Sequence, residues 1–168
     1  MSRPTKLQWA MELARATAKR STCLRRQVGC VLLDQYGHII ATGYNGVAAG
    51  MPHCNEMNPH YDEPAPKGLV RPKYIHACSG AASPSGTNLE GCEAIHAEQN
   101  ALLQCKDAQS IHTCVVTASP CITCVKLLMN TGCRQIVFAE EYPHPAAGEL
   151  WRRSRPQHFA WHHLKSGE

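Results

Sequence analysis

IHAEQNALLQCKDAQSIHTCVVTASPCITCVKLLM, residues 95–129, switches twice between helical and strand patterning. Ile95, Ala101, Leu102 and Leu103 set an apolar pattern that predicts a helix over 95–104. An apolar run at 113–118 predicts a strand. A second helix is expected over 121–129, opened by Pro120, whose missing N–H is no loss in a first helical turn. Two fragments stand at the two helix openings: His96-Ala97-Glu98 and Pro120-Cys121-Ile122-Thr123-Cys124.

Outward from this segment the pattern repeats. Leu7, Met11, Ala14 and Ala18 have helical spacing, which predicts a helix over 6–19. Short β-type runs at 28–34 and 39–43 join across Gln35-Tyr36-Gly37 as a hairpin. A strand is expected at 135–139, a helix at 146–153 and a weak last strand at 158–164. Strands alternating with helices predict an α/β domain whose sheet is covered by helices. Residues 45–93 break the pattern, being rich in Gly, Pro, Asn, Ser, Cys and His. A stretch this long without periodicity needs something to order it, and a metal would serve.

Composition narrows the class. With 168 residues the chain suits one domain spanning 1–168, with an insertion at about 47–93. No run approaches the roughly 20 apolar residues of a membrane span, and the first residues do not read as a signal peptide, so a cytoplasmic protein is expected. A net charge of +4 fits a phosphorylated small molecule and does not demand nucleic acid. Basic residues gather at Lys19, Arg20, Arg25 and Arg26 and again at Arg152, Arg153 and Arg155. Either cluster also reads as a solvated surface.

Ten cysteines in such a chain point to metal or redox chemistry before disulfides. Cys30, Cys105, Cys114 and Cys133 lie in apolar patterns and read as small buried hydrophobes. Cys23, Cys54, Cys78, Cys92, Cys121 and Cys124 lie in polar or turn-like settings.

Cys121 and Cys124 are three residues apart, so at a helix opening their thiols point the same way. A helix N-terminus favours thiolates, and two thiolates with one imidazole suit zinc. His96, Cys121 and Cys124 make three ligands and leave the fourth position to water, as in a catalytic site. Two thiolates and a dication sum to neutral, so the metal still acidifies water toward a pKa of about 7. Glu98 can converge with His96 only around a first helical turn, beside the water and not on the metal, where it would carry protons. A Cys-x-x-Cys alone also reads as a redox pair or half of a structural zinc site. Paired with His-x-Glu across one strand it favours zinc-dependent nucleobase deamination, whose signature has this form.

The similarity extends beyond that signature. Arg20-Ser21-Thr22-Cys23, Val28-Gly29-Cys30-Val31, Gly43-Tyr44-Asn45-Gly46 and His96-Ala97-Glu98-Gln99-Asn100-Ala101 resemble the deoxycytidylate (dCMP) deaminases over most of residues 7–142. The resemblance implies a cytidine deaminase-like three-layer α/β/α domain around a mixed sheet of about five strands. It implies hydrolysis of dCMP to dUMP and ammonia, with hydroxide adding at C4 and Glu98 delivering protons to N3 and the departing amino group. Main-chain groups beside Ala97 and Ser119 would meet the pyrimidine edge, Asn45 the sugar hydroxyl and Tyr142 the nucleotide. Arg25 or Arg26 would take the 5′-phosphate.

Many family members are hexamers switched on by dCTP and off by dTTP, at a site involving the Gly-Tyr-Asn-Gly segment, here Tyr44, Asn45 and Gly46. The same glycines would also merely shape a turn. Some members hold a second, structural zinc, and Cys23, Cys54 and Cys92 occupy positions resembling its ligands. The fourth ligand stays open among His53, His76 and Cys78, and free reduced cysteines are the competing reading. Residues 60–85 and the basic tail match nothing in the family. Two rivals remain: a deaminase of cytidine, a riboflavin precursor or tRNA adenosine, and a zinc-stabilised module without catalysis. Glu98 argues against the second, because a purely structural site has no use for it.

Overall fold

The computed structural model describes residues 3–143, 145–154 and 160–165. Its elements run α1 (Lys6–Ala18), β1 (Gly29–Leu33), β2 (Ile39–Tyr44), α2 (Ala97–Gln104), β3 (Thr113–Ala118), α3 (Ile122–Met129), β4 (Gln135–Glu140), α4 (Pro145–Ser154) and β5 (Ala160–His163). Each predicted element is present within a residue or two at its described ends. The last predicted strand begins at 158–159, which with Arg155 lie outside the described residues.

One mixed sheet of order β2-β1-β3-β4-β5 carries the fold. β1 is antiparallel to β2 and β3, while β3, β4 and β5 run parallel. Side chains alternate between the two faces. Val31, Leu33, Val115 and Val137 meet Ala10, Met11 and Ala14 of α1. Cys30, Leu32, Cys114, Val116, Ile136 and Phe138 face α2, α3 and α4. The result is the expected α/β/α sandwich. Trp151 and Phe138 are the largest fully buried side chains, each worth about 1.5–3 kcal/mol of apolar burial. Cys30, Cys114 and Cys133 are fully buried as expected, while Cys105 caps the end of α2 and is half-buried.

Thr5 and Gln8 start α1 with a reciprocal capping box. The hairpin turn closes through Gly37 N donating to Asp34 O at 3.1 Å. α2 docks on β2 through Gly43. A Cβ there would stand 2.2 Å from Ala97 O and 2.4 Å from Ala101 N, so only glycine lets the helix come this close.

The long segment between β2 and α2 has no helix or regular strand. Its neck is closed by an isolated antiparallel bridge, Gly46 N to Ile95 O at 3.1 Å and Ile95 N to Gly46 O at 2.8 Å. A second bridge joins Met57 to Tyr74. Turns hold the remainder.

Candidate active site

α2, which precedes β3 and packs on β2, and α3, which follows β3, bring the two sequence fragments together near the carboxyl end of β3. His96 is the N-cap of α2 and Cys121 the N-cap of α3, both with extended backbone. Each stands just outside the helix the sequence pattern predicts it to open. That extended residue turns His96 so that its imidazole and the Glu98 side chain converge. His96 N donates to Gln99 Oε1 at 2.9 Å and fixes the turn.

His96 Nδ1 lies 3.4 Å from Cys121 Sγ and 3.5 Å from Cys124 Sγ. The three donor atoms all fall within 4.8 Å of one another, the one such group among the described residues. Tetrahedral zinc with bonds of about 2.3 Å to sulfur and 2.0 Å to nitrogen needs donor separations of about 3.5–3.8 Å. The two nitrogen–sulfur separations match that requirement. Zinc therefore fits, held by His96 through Nδ1 and by both thiolates.

Electrostatics agree. The Cys124 contact, followed by His96, pulls the Cys121 thiol down to about 3. Cys124, its coupled partner, is pushed up, and the Cys121 contact raises His96. Glu98 is 4% exposed and its carboxyl is within hydrogen-bonding reach of Cys124. Burial lifts its pKa to about 6 against an ordinary 4.5.

A cleft runs past this centre and encloses about 60 Å³, space for a few waters. Ala97, Asn45, Ser119, Tyr142, Arg25 and Arg26 all line it. Their engagements differ. Asn45 Oδ1 accepts from Val28 N at 2.8 Å and Nδ2 donates to Arg26 O at 2.8 Å, so the side chain braces the 26–28 segment while keeping one further valence at each end. Ser119 Oγ accepts from Tyr142 N at 2.8 Å, which ties β3 to the loop after β4. Arg26 Nη2 meets Glu140 Oε2 at 3.2 Å and its guanidinium lies 5.9 Å over the Tyr142 ring, while Nη1 is buried without a partner. Arg25 spends Nη1 on Thr87 O at 2.7 Å and Gly80 O at 3.3 Å. Of the two arginines offered for a phosphate, Arg26 has a buried Nη1 without a partner, while Arg25 commits its Nη1 to two carbonyls.

Tyr44 and Gly46 face elsewhere. They line a second cavity of about 800 Å³ with Arg20, His53, Glu56 and Asn100. The Arg20 guanidinium lies 5.9 Å from the Tyr44 ring centroid. Asn45, between them in sequence, points to the first cleft, so one short segment serves both.

The free thiols of Cys23 and Cys92 lie within hydrogen-bonding reach of each other, as do those of Cys54 and Cys78, with Cys23 and Cys54 close enough to interact as charges. The Cys92 contact, with backbone amides and the charge of Arg25, brings Cys23 down to about 5, while desolvation raises Cys54. These four thiols are set more loosely than the catalytic trio. The other two candidates for a fourth ligand are engaged: His53 Nδ1 lies 3.3 Å from Thr22 Oγ1, and His76 Nε2 lies 3.8 Å from Glu56. The pattern of residues left Cys78 as one of three, and Ser85, which also lines the cleft, carried no signal at all.

An α/β/α domain with three metal donors, an open fourth position and an adjacent buried carboxylate defines a zinc-dependent hydrolase. Comparison with known proteins specifies the class further. Residues 4–140 match the family described as the cytidine and deoxycytidylate deaminase zinc-binding region. The deoxycytidylate deaminase of Schizosaccharomyces pombe is 34% identical over 142 residues, covering 83% of this chain and 38% of that protein. The deoxycytidylate deaminase of Mycobacterium phage D29 is 32% identical over 142 residues, covering 84% of this chain and 99% of that protein. The chain thus spans well under half of the fungal relative and nearly all of the phage one. In architecture it resembles the dCMP deaminase of cyanophage S-TIM5 in complex with dCMP and dUMP, with a TM-score of 0.62 at 23% identity over 96% of this chain and 99% of that chain. This chain belongs to the cytidine and deoxycytidylate deaminase family.

Proposed function

We propose that the chain, as one domain with its insertion, hydrolyses dCMP to dUMP and ammonia. The observation that carries this is the buried Glu98 carboxyl against Cys124, beside the His96–Cys121–Cys124 trio. Two relatives named for the same activity support the choice of substrate. Zinc on the trio supplies Lewis acidity that brings the pKa of water toward about 7. Glu98 takes the proton of the water and delivers it to N3 as hydroxide adds at C4, then takes the proton of the new C4 hydroxyl and passes it to the amino group, which leaves as ammonia while the C4 carbonyl forms. A carboxyl with a pKa of about 6 both accepts and returns a proton near neutral pH. Main-chain groups at Ala97 and Ser119 orient the pyrimidine edge, Asn45 uses its remaining valences on the sugar hydroxyl, and Tyr142 and Arg26 receive the phosphate side. Ammonia release from zinc-loaded protein, measured across dCMP, cytidine, dCTP and adenosine-containing RNA, should favour dCMP. Preference for another of these overturns the assignment.

Regulation by dCTP as activator and dTTP as inhibitor is part of the proposal, at the cavity of Tyr44 and Gly46. Its support is that Asn100 Nδ2 of α2 donates to Tyr44 O at 2.8 Å, joining that cavity to the helix that carries Glu98. A ligand changes activity only through different affinity for two states, and this bond is a physical link between the sites. A hyperbolic dCMP curve indifferent to both effectors removes the claim.

A second, structural zinc on Cys23, Cys54 and Cys92 takes Cys78 as its fourth ligand, because Cys78 is the candidate in contact with Cys54. Metal analysis should give two zinc ions per chain, falling to one in Cys78→Ser. Self-association as a hexamer is supported by exposed Leu103 of α2 and Leu127 of α3, the former 77% accessible. Light scattering tests it. The described residues contain no helix long and apolar enough to cross a membrane. A reducing cytoplasm is the compartment that keeps these thiols available to metal.

A further inference from the structure

Residues 79–92, the last part of the insertion, lie against the cleft and are tied there by three independent contacts. Arg25 donates to the carbonyls of Gly80 and Thr87 from a single Nη1. The Gly86 backbone amide faces the Tyr142 hydroxyl. Gly86 itself has φ +87°, and a Cβ on it would stand 3.0 Å from Pro143 Cγ. Inside the segment, Gly80 N donates to Gly91 O at 2.7 Å and Thr87 N to Pro84 O at 3.1 Å, so its two ends are held together. Ser85 and Cys92 are the residues this piece contributes to the cleft, and of the two Ser85 brings a hydroxyl. Among the described residues no group bonds its hydroxyl.

The enclosed space is too small for a whole nucleotide, since small-ligand pockets usually measure about 300–1,000 Å³. With the ring beside Glu98, the sugar and phosphate would extend along the rest of the cleft, which Arg26 and Ser85 line.

We infer that residues 79–92 form the outer wall of the substrate cleft, with Ser85 hydrogen-bonding the sugar-phosphate half of the nucleotide and Arg25 holding the wall in place. Arg25 is thus a positioning residue and not a phosphate ligand. The inference rests on the reading of the cleft as a deoxynucleotide site.

The test compares Ser85→Ala, Arg25→Ala, Arg25→Lys and Gly86→Ala in the zinc-loaded chain, with KM and kcat for dCMP and kcat/KM for deoxycytidine. Ser85→Ala should raise KM for dCMP about three- to tenfold with kcat within about twofold, as for one neutral hydrogen bond. Arg25→Ala should lower kcat/KM for both substrates alike and speed amide exchange across 79–92, and Arg25→Lys should restore part of both. Gly86→Ala, pushed off Pro143, should reproduce the effect while Arg25 is intact. A dCMP-only loss in Arg25→Ala with exchange unchanged makes Arg25 a direct ligand and overturns the inference, as does an unchanged KM in Ser85→Ala. If the wild-type chain fails to turn over dCMP, the substrate assignment falls, and the exchange measurement still decides whether Arg25 holds the wall.

Discussion

Gly43 of β2 and Ala97 of α2 approach so closely that the Ala97 carbonyl oxygen would lie 2.2 Å from any Cβ on Gly43. The catalytic helix is seated by an absence of side chain. Gly43→Ala must push α2 away from the sheet, and with it His96 and Glu98. Overpacking of this kind costs about 1–3 kcal/mol. Urea denaturation should show that loss, accompanied by weaker zinc retention. A variant with unchanged stability and metal content would mean that α2 docks elsewhere.

Glu98→Gln keeps the size of the side chain and removes its basicity. Since Glu98 is not among the three metal donors, zinc content should stay at the wild-type level. Turnover should fall by about 10²- to 10⁴-fold, the usual worth of a placed acid–base group. Loss of zinc together with activity would assign Glu98 to the metal instead.

The acidic limb of the pH profile has a definite sign. Glu98 must be ionised to take a proton, and burial raises its pKa to about 6. The active form is therefore present above that pH and is lost as pH falls through it, with the charge of bound zinc moving the limb downward. The measurement is kcat/KM for dCMP from pH 4 to 8. Activity that rises toward acid would contradict a general-base role.

Arg26 lines the cleft, and its Nη1 is buried without a partner. Arg26→Ala should raise KM for dCMP about 10- to 100-fold, the range of a hydrogen bond to a charged group. Deoxycytidine, lacking the phosphate, should be little affected. Equal losses on both would show that Arg26 shapes the cleft and does not read the phosphate.

Cys121→Ser removes one of two thiolates in the trio. It should abolish activity and lower the zinc content by one ion per chain while leaving the metal on the Cys23 cluster. Retention of full activity would dissolve the central assignment.

The α/β arrangement was legible because its signals are local. The apolar run at 113–118 and helical spacing in 6–19 are set by neighbours along the chain, and the structure places β3 and α1 there. The metal donors were legible for the same reason, since Cys121 and Cys124 share one helical turn and His96 caps the next helix back. Arg25 and Arg26 were inseparable in sequence, being adjacent and equally charged. Their fates part only because Gly80 and Thr87 come from 55 and 62 residues away to occupy one of them.

Residue chemistry at short spacing was thus enough to point to three metal donors, a carboxylate beside them and a layered α/β domain. Tertiary packing alone decided that Asn45 braces Arg26 while Tyr44 faces a different cavity, that Cys78 meets Cys54, and that Ser85 reaches the cleft. The reason is physical: ligand identity and helix phase are written within a few residues, whereas which distant backbone groups consume a side chain's hydrogen bonds depends on how the chain closes on itself.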